Sequence, residues 1–178
     1  MTLVQIKENI MKKHFLIYTL TLIFLTACSD GSGGSGGNNS NLPPDPGKAG
    51  KLTIEGIDSD NDGVRDDVQI AIYERHPNAP EKRAALEQQA KAYQKALIAG
   101  EAGDTAEIFR VTKEMDRAQY CILEMNGGIQ NSQAREETRA MDMKILNTDA
   151  RNNADMKYNQ ALSGNFFSVE TIKNPCDN

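Results

Sequence analysis

Ile108, Val111, Met115, Ala118, Ile122 and Met125 follow one another at alternating steps of three and four residues. That spacing puts all six side chains on one stripe of a helix, and a stripe so apolar has to be buried against a partner helix. The neighbouring segments carry the same kind of signal. Asn78 with Glu81 three residues on reads as a capping box, Leu86, Ala90, Tyr93 and Leu97 then recur at helical spacing, and Gly100 is expected to end the run. Asp104 and Glu107 repeat the box in front of the seam helix, which Gly127-Gly128 stops. A third helix is expected from about Ser132 to Leu146, with Thr138, Met141 and Ile145 inward, and Asn147-Thr148-Asp149 caps a fourth that ends near Gly164. The expected fold is therefore mainly α, a small bundle of about four helices. Met and Leu at these positions read as core packing rather than the lining of a cofactor pocket. Residues 51–57 alternate apolar with polar and suit a short strand or an extended arm. Phe166-Phe167-Ser168-Val169 is expected to pack back on the bundle as an extended segment.

Between arm and bundle stands Asp58-Ser59-Asp60-Asn61-Asp62-Gly63-Val64-Arg65-Asp66-Asp67, with carboxylates at its first, third and fifth positions and glycine at its sixth. Alternate side chains of a tight loop converge on one point, glycine permits the sharp turn, and Ca²⁺ takes about six to eight hard oxygen ligands. Five aspartates within these ten positions would also repel one another in the absence of a cation. The pattern resembles the calcium loops of the EF-hand, dockerin and thrombospondin type 3 families. The resemblance implies Asp58, Asp60 and Asp62 as the first ligands, the Val64 backbone carbonyl at the seventh position, and Asp66 at the ninth, directly or through water. An EF-hand closes its loop with a bidentate Glu at the twelfth position, where this chain has Gln69, and Arg65 stands where a hydrophobic residue is usual. The loop is thus more similar to the shorter thrombospondin-like kind, in which an acidic pair after the turn completes the coordination; Asp66 or Asp67 fits that part. The expectation is a structural Ca²⁺ held in roughly the 10⁻⁴ to 10⁻³ M range of extracellular modules, bracing a helix that starts about Val64 and ends at Arg75. The competing reading is a solvated acidic turn in which Asp62 or Asp66 caps that helix.

The front of the chain is of another kind. Met11-Lys12-Lys13 supplies positive charge, residues 15–25 are an uncharged, mostly apolar run short for a membrane span, and Leu25-Thr26-Ala27-Cys28 follows at once. This resembles the signal peptide and lipobox of bacterial lipoproteins. The resemblance implies cleavage before Cys28 and lipid on its thiol; with Ser29 rather than Asp next, it implies delivery to a Gram-negative outer membrane. An ordinary cleaved signal peptide that leaves Cys28 free is the alternative. Met11 is the expected start, because residues 1–10 carry Glu8 and no basic cluster. Residues 31–50, GSGGSGGNNSNLPPDPGKAG, hold almost nothing apolar to bury and read as a flexible tether. The expected organisation is a signal peptide over 1–27, the lipidated cysteine and tether over 28–50, and a calcium loop with helical domain over 51–178.

Removal of residues 1–27 takes three lysines and Glu8 with it, moving the formal charge from −5 to −7. An acidic domain of this kind argues against nucleic acid as a partner. Cys121 and Cys176 then remain as an even pair in an oxidising compartment, where a disulfide is expected and two free thiols are the alternative. The bridge would close a loop of about 56 residues and constrain the unfolded chain by roughly 4 kcal/mol. His76 is the remaining histidine and precedes Pro77, where a helix must stop. No GxSxG, HExxH or phosphate-loop pattern occurs. The expected function is a non-catalytic, calcium-binding module of the cell envelope, held to a membrane by lipid on Cys28 and open to a protein partner there. An inhibitor or immunity-type lipoprotein docked on a partner enzyme is one alternative; an envelope hydrolase using acidic residues is the other.

Overall fold

The computed structural model describes residues 42–128, 131–165 and 172–177. The signal segment, Cys28, most of the tether and residues 166–169 lie outside the described residues. A 3-10 turn at Ala49–Lys51 precedes five α-helices, which we number α1 (Asp66–Arg75), α2 (Pro80–Ala102), α3 (Thr105–Met125), α4 (Ser132–Ile145) and α5 (Asp149–Leu162). The described residues contain no strand, so the fold is mainly α as the periodicity predicts. Helix α2 is the centre of the bundle. It packs along α3 and α5 and meets α1 and α4 over shorter stretches.

The seam of α3 is inward: Ile108, Val111, Ala118 and Ile122 are buried, and Met115 and Met125 pack against the core from its edge. Leu86, Ala90, Tyr93 and Leu97 of α2 and Met141 and Ile145 of α4 meet them there. Three helix starts use short polar side chains to answer otherwise unpaired backbone donors. Asp104 accepts from the Glu107 amide at 3.0 Å, Asn131 from the Gln133 amide at 2.9 Å and Thr148 from the Arg151 amide at 3.2 Å. Near the C-terminus, a disulfide joins Cys121 of α3 to Cys176, with 4.8 Å between the Cα atoms. Gln88 clamps the same tail from α2, donating to the Pro175 carbonyl at 2.8 Å and accepting from the Asp177 amide at 2.9 Å.

Three local expectations are corrected. No Asn78–Glu81 box forms, because α2 begins at Pro80, whose ring fixes a helical φ and which has no N–H to satisfy in the first turn. Gly100 does not end α2, which runs on to Ala102 before the left-handed Gly103. Gly100 is buried because α5 crosses directly over it: a Cβ there would stand 2.6 Å from the Ala154 carbonyl oxygen and 2.8 Å from Tyr158 Cβ. Residues 51–57 form no strand; after the 3-10 turn they run as a bent, irregular arm. Gly50, at the end of the segment read as tether, is buried.

A polar layer interrupts the core between α2, α4 and α5. Tyr93 donates to Asp155 Oδ1 at 2.9 Å, and Gln89 Nε2 donates to Asp142 Oδ1 at 3.3 Å. Burial pushes the Asp142 carboxyl up to about 6, and the negative charge of Asp155 adds to the effect. Below about pH 4 the group is protonated in both the folded and unfolded chain, so it costs nothing. Above its folded value the ionised form is the disfavoured one, and stability falls as pH rises through about 6. Asp142→Asn is therefore expected to raise the melting temperature at pH 8 and leave it nearly unchanged at pH 4; an equal effect at both would assign it to packing. Gly100→Ala tests the helix crossing. Alanine favours an isolated helix by about 1 kcal/mol over glycine, yet overpacking against Ala154 and Tyr158 should lower stability by about 1–3 kcal/mol in urea unfolding. A stabilising result would show that α2 and α5 do not need the bare backbone.

Candidate functional site

The arm enters through a set of backbone carbonyls gathered by one side chain. Arg151 of α5 is fully buried and donates to Gly50 O at 2.7 Å, Thr53 O at 3.0 Å, Ile54 O at 3.1 Å and Asn147 Oδ1 at 2.5 Å. Gln94 of α2 adds a bond to Ile54 O at 3.0 Å. Burial pulls the Arg151 pKa down to about 10, with repulsion from Arg65 contributing, and the group remains a cation at neutral pH. Past the arm, the Ile57 carbonyl accepts from the Asp66 amide at 2.8 Å, closing residues 58–65 into a loop on the first turn of α1.

Within that loop, side chains fold inward over their own backbone. Asp58 accepts from the Asp62 amide at 3.2 Å and the Gly63 amide at 2.9 Å, Asp60 from the Asp62 amide at 3.3 Å, and Asp62 from the Val64 amide at 2.7 Å. Gly63 takes φ +89°, a conformation other residues rarely adopt, at the sixth position where a sharp turn is expected. One carboxylate oxygen each from Asp58, Asp60 and Asp66 lies within 4.8 Å of the others. Oxygens on opposite sides of a Ca²⁺, each about 2.3–2.6 Å from it, are separated by about that much. Asp66 is fully buried; its Oδ1 accepts from the Ser59 amide at 2.9 Å, while its Oδ2 is buried with no hydrogen-bond partner. A solvated acidic cap would face water, and Asp66 does not.

The other expected carboxylate ligands, Asp62 and Asp67, are placed differently. Asp62 is outside the converging trio and lies 4.0 Å from Lys91 Nζ. Val64, whose backbone carbonyl is the expected ligand, sets its side chain in the core with no exposure. Asp67 is turned to other work: both its oxygens receive the Arg65 guanidinium, at 2.9 and 3.1 Å, and Asn147 donates to it at 2.8 Å. Burial alone would raise the Asp67 carboxyl, but these bonds outweigh it and hold the group below its ordinary range. Arg65, the departure from the usual hydrophobic residue, is 2 % exposed and also donates to the Ile145 carbonyl at 3.0 Å and the Lys144 carbonyl at 3.3 Å. It places positive charge at the C-terminal end of α4, where helix carbonyls lack partners. Gln69 reaches Asp60 Oδ2 with its amide nitrogen at 3.2 Å, and that bond is the main influence lowering the Asp60 pKa. The sequence pattern assigns neither Arg65 nor Gln69 such a part, since the pattern is read from the loop and their partners are fixed by the fold.

A second cluster sits at the other end of α1. Glu137 accepts from Arg75 Nε at 2.7 Å and lies 3.1 Å from His76 Nε2, beside a cleft that also touches Lys82 and Asn126 and is too narrow to admit a water molecule. Burial would raise the Glu137 carboxyl, but the bonds from Arg75 and His76 prevail and hold it low. This group ties α1 to α4. Among the described residues no helix is long and apolar enough to cross a membrane. Comparison of the chain with family models, with curated proteins and with solved structures finds no match.

Proposed function

We propose that this chain is a lipid-anchored, calcium-braced helical module of the bacterial cell envelope that works by binding rather than by catalysis. The calcium part rests on one observation: a fully buried carboxylate, Asp66, that has an oxygen without a hydrogen-bond partner and that also brings an oxygen within 4.8 Å of oxygens from Asp58 and Asp60. A buried polar oxygen without a partner is costly, and a hard divalent cation is the group that would answer it together with its two neighbours. The donor set is all oxygen, which suits Ca²⁺ and not zinc or a redox metal. Asp58, Asp60 and Asp66 would hold the ion, with Asp62 and the Val64 carbonyl adjoining, and Asp67 would remain with Arg65. The ion's work is to brace arm against bundle, since the loop lies between the segment held by Arg151 and the first turn of α1.

The anchor rests on Leu25-Thr26-Ala27-Cys28 behind a basic and apolar leader. Lipid at that cysteine, followed by a Gly/Ser-rich stretch, would leave the bundle attached to the membrane by its arm end. Binding rather than catalysis is supported by where the ionisable groups go. Glu137 of α4 takes both Arg75 and His76 at the end of α1, and Asp67 takes Arg65, whose guanidinium also bonds the last carbonyls of α4.

Calcium at 100-fold over its Kd should raise stability by about 2.7 kcal/mol, a shift of roughly 5–10 °C in melting temperature for a chain of this size. Asp66→Asn should abolish the shift while melting close to the wild type in chelator, since the amide keeps an oxygen to accept from the Ser59 amide. Identical melting curves in calcium and chelator would remove the metal from this reading. For the anchor, palmitate fed to expressing cells should label the protein, and Cys28→Ser should release it from the membrane fraction; unlabelled protein that stays membrane-bound after the substitution would refute it.

A further inference from the structure

A lysine of α2 reaches over the turn of the acidic loop. A Cβ placed on Gly63 would stand 3.5 Å from Lys91 Cγ, 3.7 Å from its Cδ and 3.9 Å from its Cε. The stem of Lys91 therefore runs past the glycine at the loop's sixth position within van der Waals reach, and the ammonium at its end lies 4.0 Å from Asp62 Oδ2. At that distance the two form an ion pair rather than a hydrogen bond. The other oxygen of Asp62 accepts from the Val64 amide at 2.7 Å. Both ends of this carboxylate are engaged, and Asp62 stands apart from the trio of Asp58, Asp60 and Asp66. The charge of the loop is felt on α2 at a second residue, one turn before Lys91. Burial raises the Glu87 carboxyl, Asp62 and Asp60 add to the rise, and Lys91 and Arg83 oppose it.

An acidic loop without an ion has to live with the repulsion among its carboxylates. Lys91 offsets part of that repulsion from outside the loop, with one positive charge held at the rim. The other cation close by, Arg65, is committed to Asp67 and to the end of α4. The Lys91 side chain is 37 % exposed, so water and salt screen the pair and keep its strength modest.

We propose that Lys91 is the resident counter-cation of the loop, steadying it through Asp62 when it is empty and opposing the divalent ion when one enters. The inference rests on the calcium reading of the same loop and adds to it a control exerted by α2. Two effects act in the same direction. The ammonium repels a cation held among the trio, and Asp62 Oδ2 has to leave Lys91 before it can turn to that cation. Lys91 thus keeps the loop in shape when calcium falls, and it makes the ion easier to release than the carboxylates alone would.

The test uses the full chain, with calorimetric titration of Ca²⁺ and melting curves in chelator. Lys91→Met retains a long stem over Gly63 and removes the charge. It should bind Ca²⁺ about fivefold more tightly than the wild type at low ionic strength, and melt lower in chelator. The gain in affinity should shrink at about 1 M salt, where the screening length is about 3 Å. Lys91→Arg should bind as the wild type does. In an Asp62→Asn chain the Lys91→Met gain should be smaller, because no ion pair is left for residue 62 to abandon. A Lys91→Met chain that binds Ca²⁺ no tighter than the wild type would overturn the proposal and leave the calcium reading standing; if it also melted equally lower with and without calcium, Lys91 would be a packing residue. An undiminished gain in the Asp62→Asn chain would overturn the part assigned to Asp62. A wild type that binds no Ca²⁺ would remove the calcium reading, and the proposal with it.

Discussion

A buried guanidinium has to have its donors answered, and two of them hold the acidic loop in place. Arg65 and Arg151 are both essentially without exposure. Arg65 spends its donors on Asp67 and on the last carbonyls of α4, and Arg151 spends its own on the carbonyls of the incoming arm and on Asn147. Leaving either group unpaired in the interior would cost several kcal/mol. The arm, the loop and the end of α4 are thus fixed relative to one another by requirements that no one of them could meet alone. Among the described residues no carboxylate hydrogen-bonds Arg151; Asp67 and Glu55 balance its charge from a distance.

Four successive residues show how tightly the junction is specified. Val64 points into the apolar core, Arg65 to the carbonyl end of α4, Asp66 into the loop, and Asp67 back to the Arg65 guanidinium. Acidic residues at the start of a helix are favourable for their charge alone, but here the two divide the labour. Asp67 neutralises a buried cation, and Asp66 is the one left with an unanswered oxygen. The two have different tasks although they are neighbours of the same type.

How much of this is legible in the sequence depends on the range over which each residue finds its partners. The α3 seam, the Asp104 and Thr148 caps and the Cys121–Cys176 pair are read correctly because periodicity, capping chemistry and cysteine arithmetic are local or compositional rules. Gly100 is misread for the same reason: within its own segment a glycine signals an end, and only the crossing of α5, more than 50 residues later, explains why a side chain is missing there. Asn78 loses to Pro80, a competing local signal two residues on. In the loop, the spacing of Asp58, Asp60 and Asp66 is visible, whereas the engagement of Asp67 is not, because it depends on Asn147 and on Arg65 turning to α4. Arg65 looks like a flaw in a motif when judged by the ten residues around it. Seen with its carbonyl partners 79 and 80 residues further along, it is a fastening.

The bridge from Cys121 to Cys176 encloses α4 and α5 in a covalent ring that is closed by α3. A protease that severs the backbone anywhere between those two cysteines therefore opens the ring without releasing a fragment. Both halves stay attached through sulfur, and the core residues of α4 and α5 remain beside the surface they left. Damage to the connecting turns is in this way converted from loss of a piece into a nick.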